Sequence, residues 1–297
     1  MMRYEFRPVS ACDMCGGRSF RLLGMRLSAS QGLRPRKAEG IAVPVKQCVD
    51  CGLIFADPQP VPEDLSEHYG LPPEEYWHDA DFQWSPEYFS AEIAAAKRLL
   101  GFAGGMTALD IGVGLGKAMK SLAAAGFDTW GIEPSEGFRS IAISGMGLDP
   151  DRVQLARVEE AEFGPLQFDF ITFGAVLEHL YSPSLAIERA LGWLKPGGII
   201  QAEVPSSRWL VAKFVNAFFR LLGTNYVTHI SPMHPPFHLY EFALRSFELN
   251  GRRLAYSVAD HAYLTCAVFY LPLKPFFRRI MDATDTGMQL TVYLRPT

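Results

Sequence analysis

The sequence predicts an α/β fold, a parallel sheet covered by helices, with a small cysteine-bearing unit ahead of it. Two observations carry this. The stretch 107–135, TALDIGVGLGKAMKSLAAAGFDTWGIEPS, reads as strand, glycine turn, helix, strand and terminal acid. The first 60 residues, by contrast, hold two C-x-x-C pairs. Within the first stretch, Ala108-Leu109-Asp110-Ile111 has the length of a buried parallel strand. Gly112, Gly114 and Gly116 follow at every second position, Lys117 to Ala125 reads as a helix stopped by Gly126, and Thr129 to Ile132 is a second strand ending on Glu133.

Glycines let a backbone approach a ligand with no side chain between them. A carboxylate at the tip of the second strand can accept hydrogen bonds from both hydroxyls of a ribose. The stretch is therefore a nucleotide-binding half-unit. Its pattern is D-x-G-x-G-x-G, with Asp110 inside the strand. The G-x-G-x-x-G that seats a dinucleotide pyrophosphate at a helix N-terminus is absent, which argues against NAD. The run resembles the first motif of class I S-adenosylmethionine-dependent methyltransferases. Phe168-Asp169-Phe170-Ile171 is similar to that family's fourth strand, Val176-Leu177-Glu178-His179-Leu180 to the segment after it, and Leu194-Lys195-Pro196-Gly197-Gly198 to the turn before its fifth strand. The four matches stand in order between residues 105 and 205. The resemblance implies a Rossmann-like seven-stranded sheet with helices on both faces. It also implies S-adenosylmethionine as cofactor, held by Asp110, Gly112, Gly114, Gly116, Glu133 and Gly174.

Taken in order, residues 1–60 read as a separate zinc-ribbon-like unit. Cys12, Cys15, Cys48 and Cys51 form two knuckles with 32 residues between them, each followed by a glycine, Gly16 or Gly52. Four thiolates suit tetrahedral zinc; two redox pairs or free thiols are the competing readings. A unit this small has little core and would depend on metal to fold. Residues 61–84 are a linker and aromatic loop. Asp57 to Pro62 is proline-rich and extended, Glu63 to Tyr69 is a short helix candidate, and Tyr76, Trp77 and Trp84 suit packing across another surface. Residues 85–297 form the methyltransferase domain. Ser85-Pro86 opens a helix over Glu87 to Leu100.

A helix after Ser135 ends near Gly145, and Arg152 to Ala156 is a third strand. The acids Glu159, Glu160 and Glu162 follow, where the resemblance expects an adenine contact. Phe168 to Phe173 is the fourth strand, its end left clear by Gly174, and Ile199 to Val204 the fifth. Residues 206–223 form an apolar helical insert whose Lys213, Asn216 and Arg220 share one narrow face. It reads as core packing, a lid, a dimer face or a membrane-surface helix. His229, His234 and His238 lie on a proline-broken loop. A helix from Glu241 to Asn250 stops at Gly251, Leu254 to Ala259 is the sixth strand, and Met288 to Leu294 is the seventh, antiparallel in the family. His261 to Met281 is apolar and ambiguous between helix and strand.

Net charge −4 and a pI near 6.0 leave no electrostatic footprint for nucleic acid. No apolar run reaches the roughly 20 residues of a membrane span, and the N-terminus lacks a signal-peptide core. With paired C-x-x-C motifs, this reads as a cytoplasmic protein, with peripheral membrane contact open. His179 and His238 are the candidate general bases. The first functional reading is O-methylation of a small-molecule, sugar or lipid-linked acceptor. The alternatives are an RNA methyltransferase gripping nucleic acid through an N-terminal unit rich in arginine, a sugar C-methyltransferase, and a non-catalytic scaffold.

Overall fold

A computed structural model describes residues 4–26, 41–64, 83–230, 238–265 and 274–297. In chain order the strands and helices are β1 (Tyr4–Arg7), β2 (Phe20–Arg26), β3 (Pro44–Cys48), β4 (Ile54–Ala56), β5 (Gln59–Pro62), α1 (Ser90–Leu100), β6 (Thr107–Ile111), α2 (Lys117–Ala124), β7 (Asp128–Glu133), α3 (Glu136–Met146), β8 (Val153–Leu155), β9 (Phe168–Gly174), α4 (Pro183–Trp193), β10 (Leu194–Pro205), α5 (Leu210–Leu221), β11 (Tyr226–Val227), β12 (Tyr240–Glu241), α6 (Leu244–Leu254), β13 (Tyr256–Leu264), α7 (Lys274–Thr284) and β14 (Gln289–Pro296).

Seven strands form the main sheet in the order β13-β14-β10-β9-β6-β7-β8, and β14 runs antiparallel to both of its neighbours, β13 and β10. Its central strands are buried on both faces. Leu109 and Ile111 of β6 face one layer of core with Ile171 and Phe173, while Ala108 and Phe170 face the other with Ile93 and Ala96 of α1. This two-sided burial explains the near-continuous apolar runs of β6 and β9. The expected seven-stranded sheet is present, and the expected antiparallel seventh strand is β14.

The cysteine unit is not separate. Its strands β2, β3 and β4 share a five-stranded sheet with β11 and β12, which come from residues 226–241. Cys12, Met14, Cys48, Cys51, Leu53 and Phe55 belong to one continuous apolar cluster with Phe168, Leu177, Phe242 and Phe247. The first knuckle is also fastened to two helices by hydrogen bonds. Asp13 accepts from the backbone of Ser184 at 2.7 Å, in the first turn of α4, where the helix dipole favours a carboxylate. Asn250 and Arg253 of α6 donate to the carbonyl of Met14 at 2.9 and 2.8 Å. A unit with too little core of its own has borrowed one. The boundary near residue 60 also falls inside a strand, because β5 pairs with β1 from Tyr4↔Pro62 to Arg7↔Gln59. Prolines are tolerated there because the two-stranded ladder leaves one edge of each strand unpaired.

Local differences have local causes. The first helix starts at Ser90, not Glu87, because Phe89 takes a left-handed conformation (φ 63°) and Ser85 closes a turn on Glu87 instead. The helix after Ser135 runs to Met146 and is closed by Gly147 at φ 72°. Trp84 closes the aromatic segment on α2, donating to Ser121 at 2.9 Å. Tyr76, Trp77 and the Leu65–Tyr69 part of the expected short helix lie outside the described residues. The ambiguous stretch 261–281 supplies the end of β13 and the start of α7.

Gly251 does not end a helix. Helix α6 continues to Leu254 and is closed by Ala255 at φ 58°. Gly251 is there for space, since a Cβ on it would stand 2.3 Å from the carbonyl oxygen of Tyr256. Helix propensity alone makes Gly251→Ala stabilising by about 1 kcal/mol. The backbone collision reverses the sign: thermal melting of Gly251→Ala should show a loss of about 1–3 kcal/mol, and a gain in melting temperature would refute this account.

Candidate active site

The glycine turn leaves β6 and enters α2. Gly112, Gly114 and Gly116 all have positive φ, at 78°, 54° and 85°. Two of them differ in what a side chain would meet. A Cβ at Gly112 would lie 2.5 Å from Val176, so this glycine lets the turn pack on the segment that follows β9. A Cβ at Gly114 would project into open space, with Gly112 O at 3.8 Å its nearest neighbour. Gly174, at the carboxyl end of β9, likewise has no atom within 4 Å of such a Cβ. These two open glycines belong to the adjacent strands and turn where α/β sheets hold ligands.

Four carboxylates are gathered at this edge of the sheet. Asp110 and Glu133 are 3% and 5% exposed. Glu133 accepts from the backbone of Gly114 at 2.8 Å and of Ser135 at 2.9 Å. Burial raises the pKa of both groups to about 7, and for Asp110 the nearby Glu133 raises it further. Among the described residues no donor reaches Asp110 Oδ2. Glu178 follows β9 and is buried, with its pKa pushed to about 8 by burial. Glu203 stands beside Gly174 in the β9–β10 register, and burial raises it to about 7. An acid-lined cradle with an orphaned buried oxygen and open glycines fits a cationic, hydroxyl-bearing ligand, which S-adenosylmethionine is. Sequence reasoning missed Glu203; its signal was a lone acid inside the apolar fifth strand, Ile199 to Val204.

His179 ends the short 3₁₀ turn Leu177–His179. The structure brings His238 to it from far along the chain, the two rings meeting edge to face with centroids 4.7 Å apart. The ligand atoms of Glu178, His179 and His238 all lie within 4.8 Å of one another. This set can move a proton, and it can also hold a divalent cation. Segment 238–241 is fixed from both sides. Leu239 donates to the carbonyl of Glu178 at 2.7 Å, β12 pairs with β4, and the buried guanidinium of Arg26 reaches the carbonyl of His238 at 3.5 Å. The neighbouring His229 has a structural part: buried, it pairs with Glu241 at 2.6 Å. His234 lies outside the described residues. So does Cys266.

The four remaining cysteines converge. The close pairs run across the knuckles, Cys12 to Cys51 at 3.5 Å and Cys15 to Cys48 at 3.6 Å, and none is in a disulfide. Gly16 and Gly52 turn at φ 76° and 80°, which the expected tight knuckles require. Sulfurs around a tetrahedral zinc at about 2.3 Å stand about 3.8 Å apart, so the donor set fits that metal.

Comparison with known proteins gives the family. The family model described as "Methyltransferase domain" matches residues 76–247, more than half of the chain. The ubiquinone biosynthesis O-methyltransferase of Stutzerimonas stutzeri is 28% identical over 194 residues, covering 63% of this chain and 78% of the relative. That of Paraburkholderia phymatum is 29% identical over 199 residues, covering 64% and 78%. Among solved structures, the magnesium protoporphyrin IX methyltransferase of Synechocystis PCC 6803, with SAH bound, is similar in fold at a TM-score of 0.51 and 13% identity, covering 71% of this chain and 83% of that one.

The carboxylates set a pH dependence. Asp110 and Glu133 have folded pKa values near 7, well above their unfolded values, so the folded chain holds extra protons between the two. Their contribution is complete below about pH 4 and is lost as pH rises through 7, at up to about 1.4 kcal/mol per pH unit for each proton. The melting temperature of the ligand-free protein should fall from pH 5 to pH 8, and Asp110→Asn should flatten that slope. A slope that Asp110→Asn leaves unchanged would exclude Asp110 as its source.

Proposed function

The chain belongs to the methyltransferase-domain family, as an S-adenosylmethionine-dependent enzyme, and from that premise we propose that it methylates a hydroxyl of a small-molecule acceptor, with His179 as general base. The observation that carries this reading is the pairing of His179 with His238 beside Glu178, just past the strand whose open Gly174 lies at the ligand edge. The names of the O-methyltransferase relatives support the acceptor atom.

In this reading Gly114 and Gly174 give the cofactor close approach to backbone, Glu133 accepts its ribose hydroxyls, the buried Asp110 lends the cradle its unpartnered oxygen, and Gly112 and Gly116 hold the turn in shape. S-adenosylmethionine supplies a methyl on a sulfonium, so the protein contributes alignment and dryness and forms no covalent intermediate. His179 takes the proton of the acceptor hydroxyl; His238 positions His179 and the acceptor. A hydroxyl needs such a base because its own pKa is far above neutrality. The triad also favours a second reading, with a divalent cation between Glu178, His179 and His238 that acidifies the hydroxyl.

One set of measurements tests these assignments. Gly114→Ala meets no neighbour within the chain, costs about 1 kcal/mol of strain at φ 54° and fills the cradle, so titration calorimetry should show S-adenosylmethionine affinity reduced roughly tenfold or more while the chain stays folded by melting temperature. Glu133→Ala should cost roughly 1.5–3 kcal/mol of binding. With labelled cofactor and a panel of phenolic and sugar hydroxyl acceptors, the wild-type single-turnover rate should rise with pH to a plateau, because the base acts when neutral. His179→Ala should lose about 10²–10⁴-fold in that rate while binding cofactor normally. An unchanged rate and pH profile would remove His179 from the mechanism. EDTA treatment followed by Mg²⁺ or Mn²⁺ repletion separates the readings: the base predicts no dependence of the rate on added Mg²⁺ or Mn²⁺, the cation predicts loss and recovery with it.

For Cys12, Cys15, Cys48 and Cys51 the reading is one structural zinc, supported by the 3.5 and 3.6 Å sulfur contacts. The N-terminal unit is then a metal-clipped unit continuous with the methyltransferase core. Elemental analysis should find about one zinc per chain. Cys48→Ser should then lower the melting temperature of the whole chain, not of a detached unit. A metal-free, fully stable chain would exclude the site.

A further inference from the structure

Helix α5 is inverted relative to an ordinary surface helix. Its buried side chains are Val211, Ala212 and Asn216, and Asn216 uses its side-chain oxygen to accept from the backbone of Thr228 at 2.8 Å. Three of its large apolar residues point outward, Phe214 at 57% exposed, Phe218 at 56% and Leu221 at 86%, while Leu210, Val215 and Phe219 are half-buried. At 100° per residue these fall on one stripe, with Leu222 at its margin. Helix α7 extends the stripe, because Phe277 meets Phe214 with ring centroids 6.2 Å apart and Phe276 beside it is 58% exposed. The two helices are joined at their ends, where Arg208 donates to the carbonyl of Thr284 and Leu210 to that of Thr286. An exposed aromatic patch of this kind marks an interaction surface.

The charge around the patch says which kind. Residues 206–228 and 274–286 carry six cations, Arg208, Lys213, Arg220, Lys274, Arg278 and Arg279, against two acids, Asp282 and Asp285, in a chain of net charge −4. Lys213, Arg220 and Arg279 are exposed. An apolar stripe bordered by cations matches a bilayer surface in which acyl chains lie beneath anionic headgroups. It matches a second copy of the chain poorly, since a two-fold interface would set these cations against themselves. We propose that α5 and α7 form a docking face for anionic lipid membranes, with Phe214, Phe218, Leu221 and Phe276 entering the interface and Lys213, Arg220 and Arg279 contacting headgroups. The inference does not depend on which acceptor is methylated.

The test is co-sedimentation of the full chain with phosphatidylcholine vesicles, with and without phosphatidylglycerol, at low and high salt. Binding should require the anionic lipid and weaken with salt. Phe214→Ser with Phe218→Ser, and separately Lys213→Glu with Arg220→Glu, should each reduce partitioning roughly tenfold or more. Melting temperature and S-adenosylmethionine affinity should stay at wild-type values in both, which excludes misfolding as the cause. Equal partitioning to neutral and anionic vesicles, or variants that partition like the wild type, would overturn the proposal. So would a wild-type dimer that the double phenylalanine variant converts to monomer, since the patch would then be covered by a second copy.

Discussion

The arrangement depends on one short strand, Tyr240–Glu241. Through its pairing with Ile54 and Phe55 it belongs to the cysteine unit's sheet. The residue before it donates to the carbonyl of Glu178, and the residue after it donates to Pro205 at the end of β10. The Tyr240 hydroxyl donates to the carbonyl of Tyr181 and accepts from Gln59 at 2.7 Å. Residues 239–242 thus tie the N-terminal sheet, the turn holding His179 and the end of the fifth parallel strand into one piece. Backbone hydrogen bonds buried in this way cannot be exchanged for water, so the geometry they hold is stiff.

The consequence reaches the site. His238 meets His179 only because this strand is pinned, and Arg26 of β2 holds the carbonyl of His238 from the other side. The N-terminal unit is therefore a buttress for the edge of the sheet that carries Glu178 and His179. Its own stability is borrowed in return, from Asn250, Arg253 and the first turn of α4. Neither part has a complete core alone.

Electrostatics at the carboxyl edge run against stability. Asp110, Glu133, Glu178 and Glu203 are all held above their ordinary pKa by burial, and such groups favour the unfolded chain whenever they must ionise. A sheet selected for stability alone would carry apolar residues there. The cost is consistent with a site prepared for a cationic ligand, whose charge relieves the cluster. Helix α5 is a comparable departure, burying an asparagine and exposing phenylalanines.

Sequence alone determined whatever is written in local periodicity and spacing. The apolar runs of β6 and β9, the D-x-G-x-G-x-G turn, Glu133 at a strand tip and the two C-x-x-C knuckles each lie within a few dozen residues, and each is dictated by its own chemistry. Tertiary structure decided what depends on partners distant in the chain. Gly251 reads as a helix stop until Tyr256 is seen against it. Residues 1–60 read as separate until β11 and β12 arrive from beyond residue 225. Lys213, Asn216 and Arg220 form one polar face by periodicity, yet Asn216 is buried because Thr228 offers it a backbone donor, while Phe214 and Phe218 are left outside. His179 and His238 were both visible as candidates, but their meeting was not. Periodicity records which residues share a face of one element; which face is covered, and by what, is set by non-local packing.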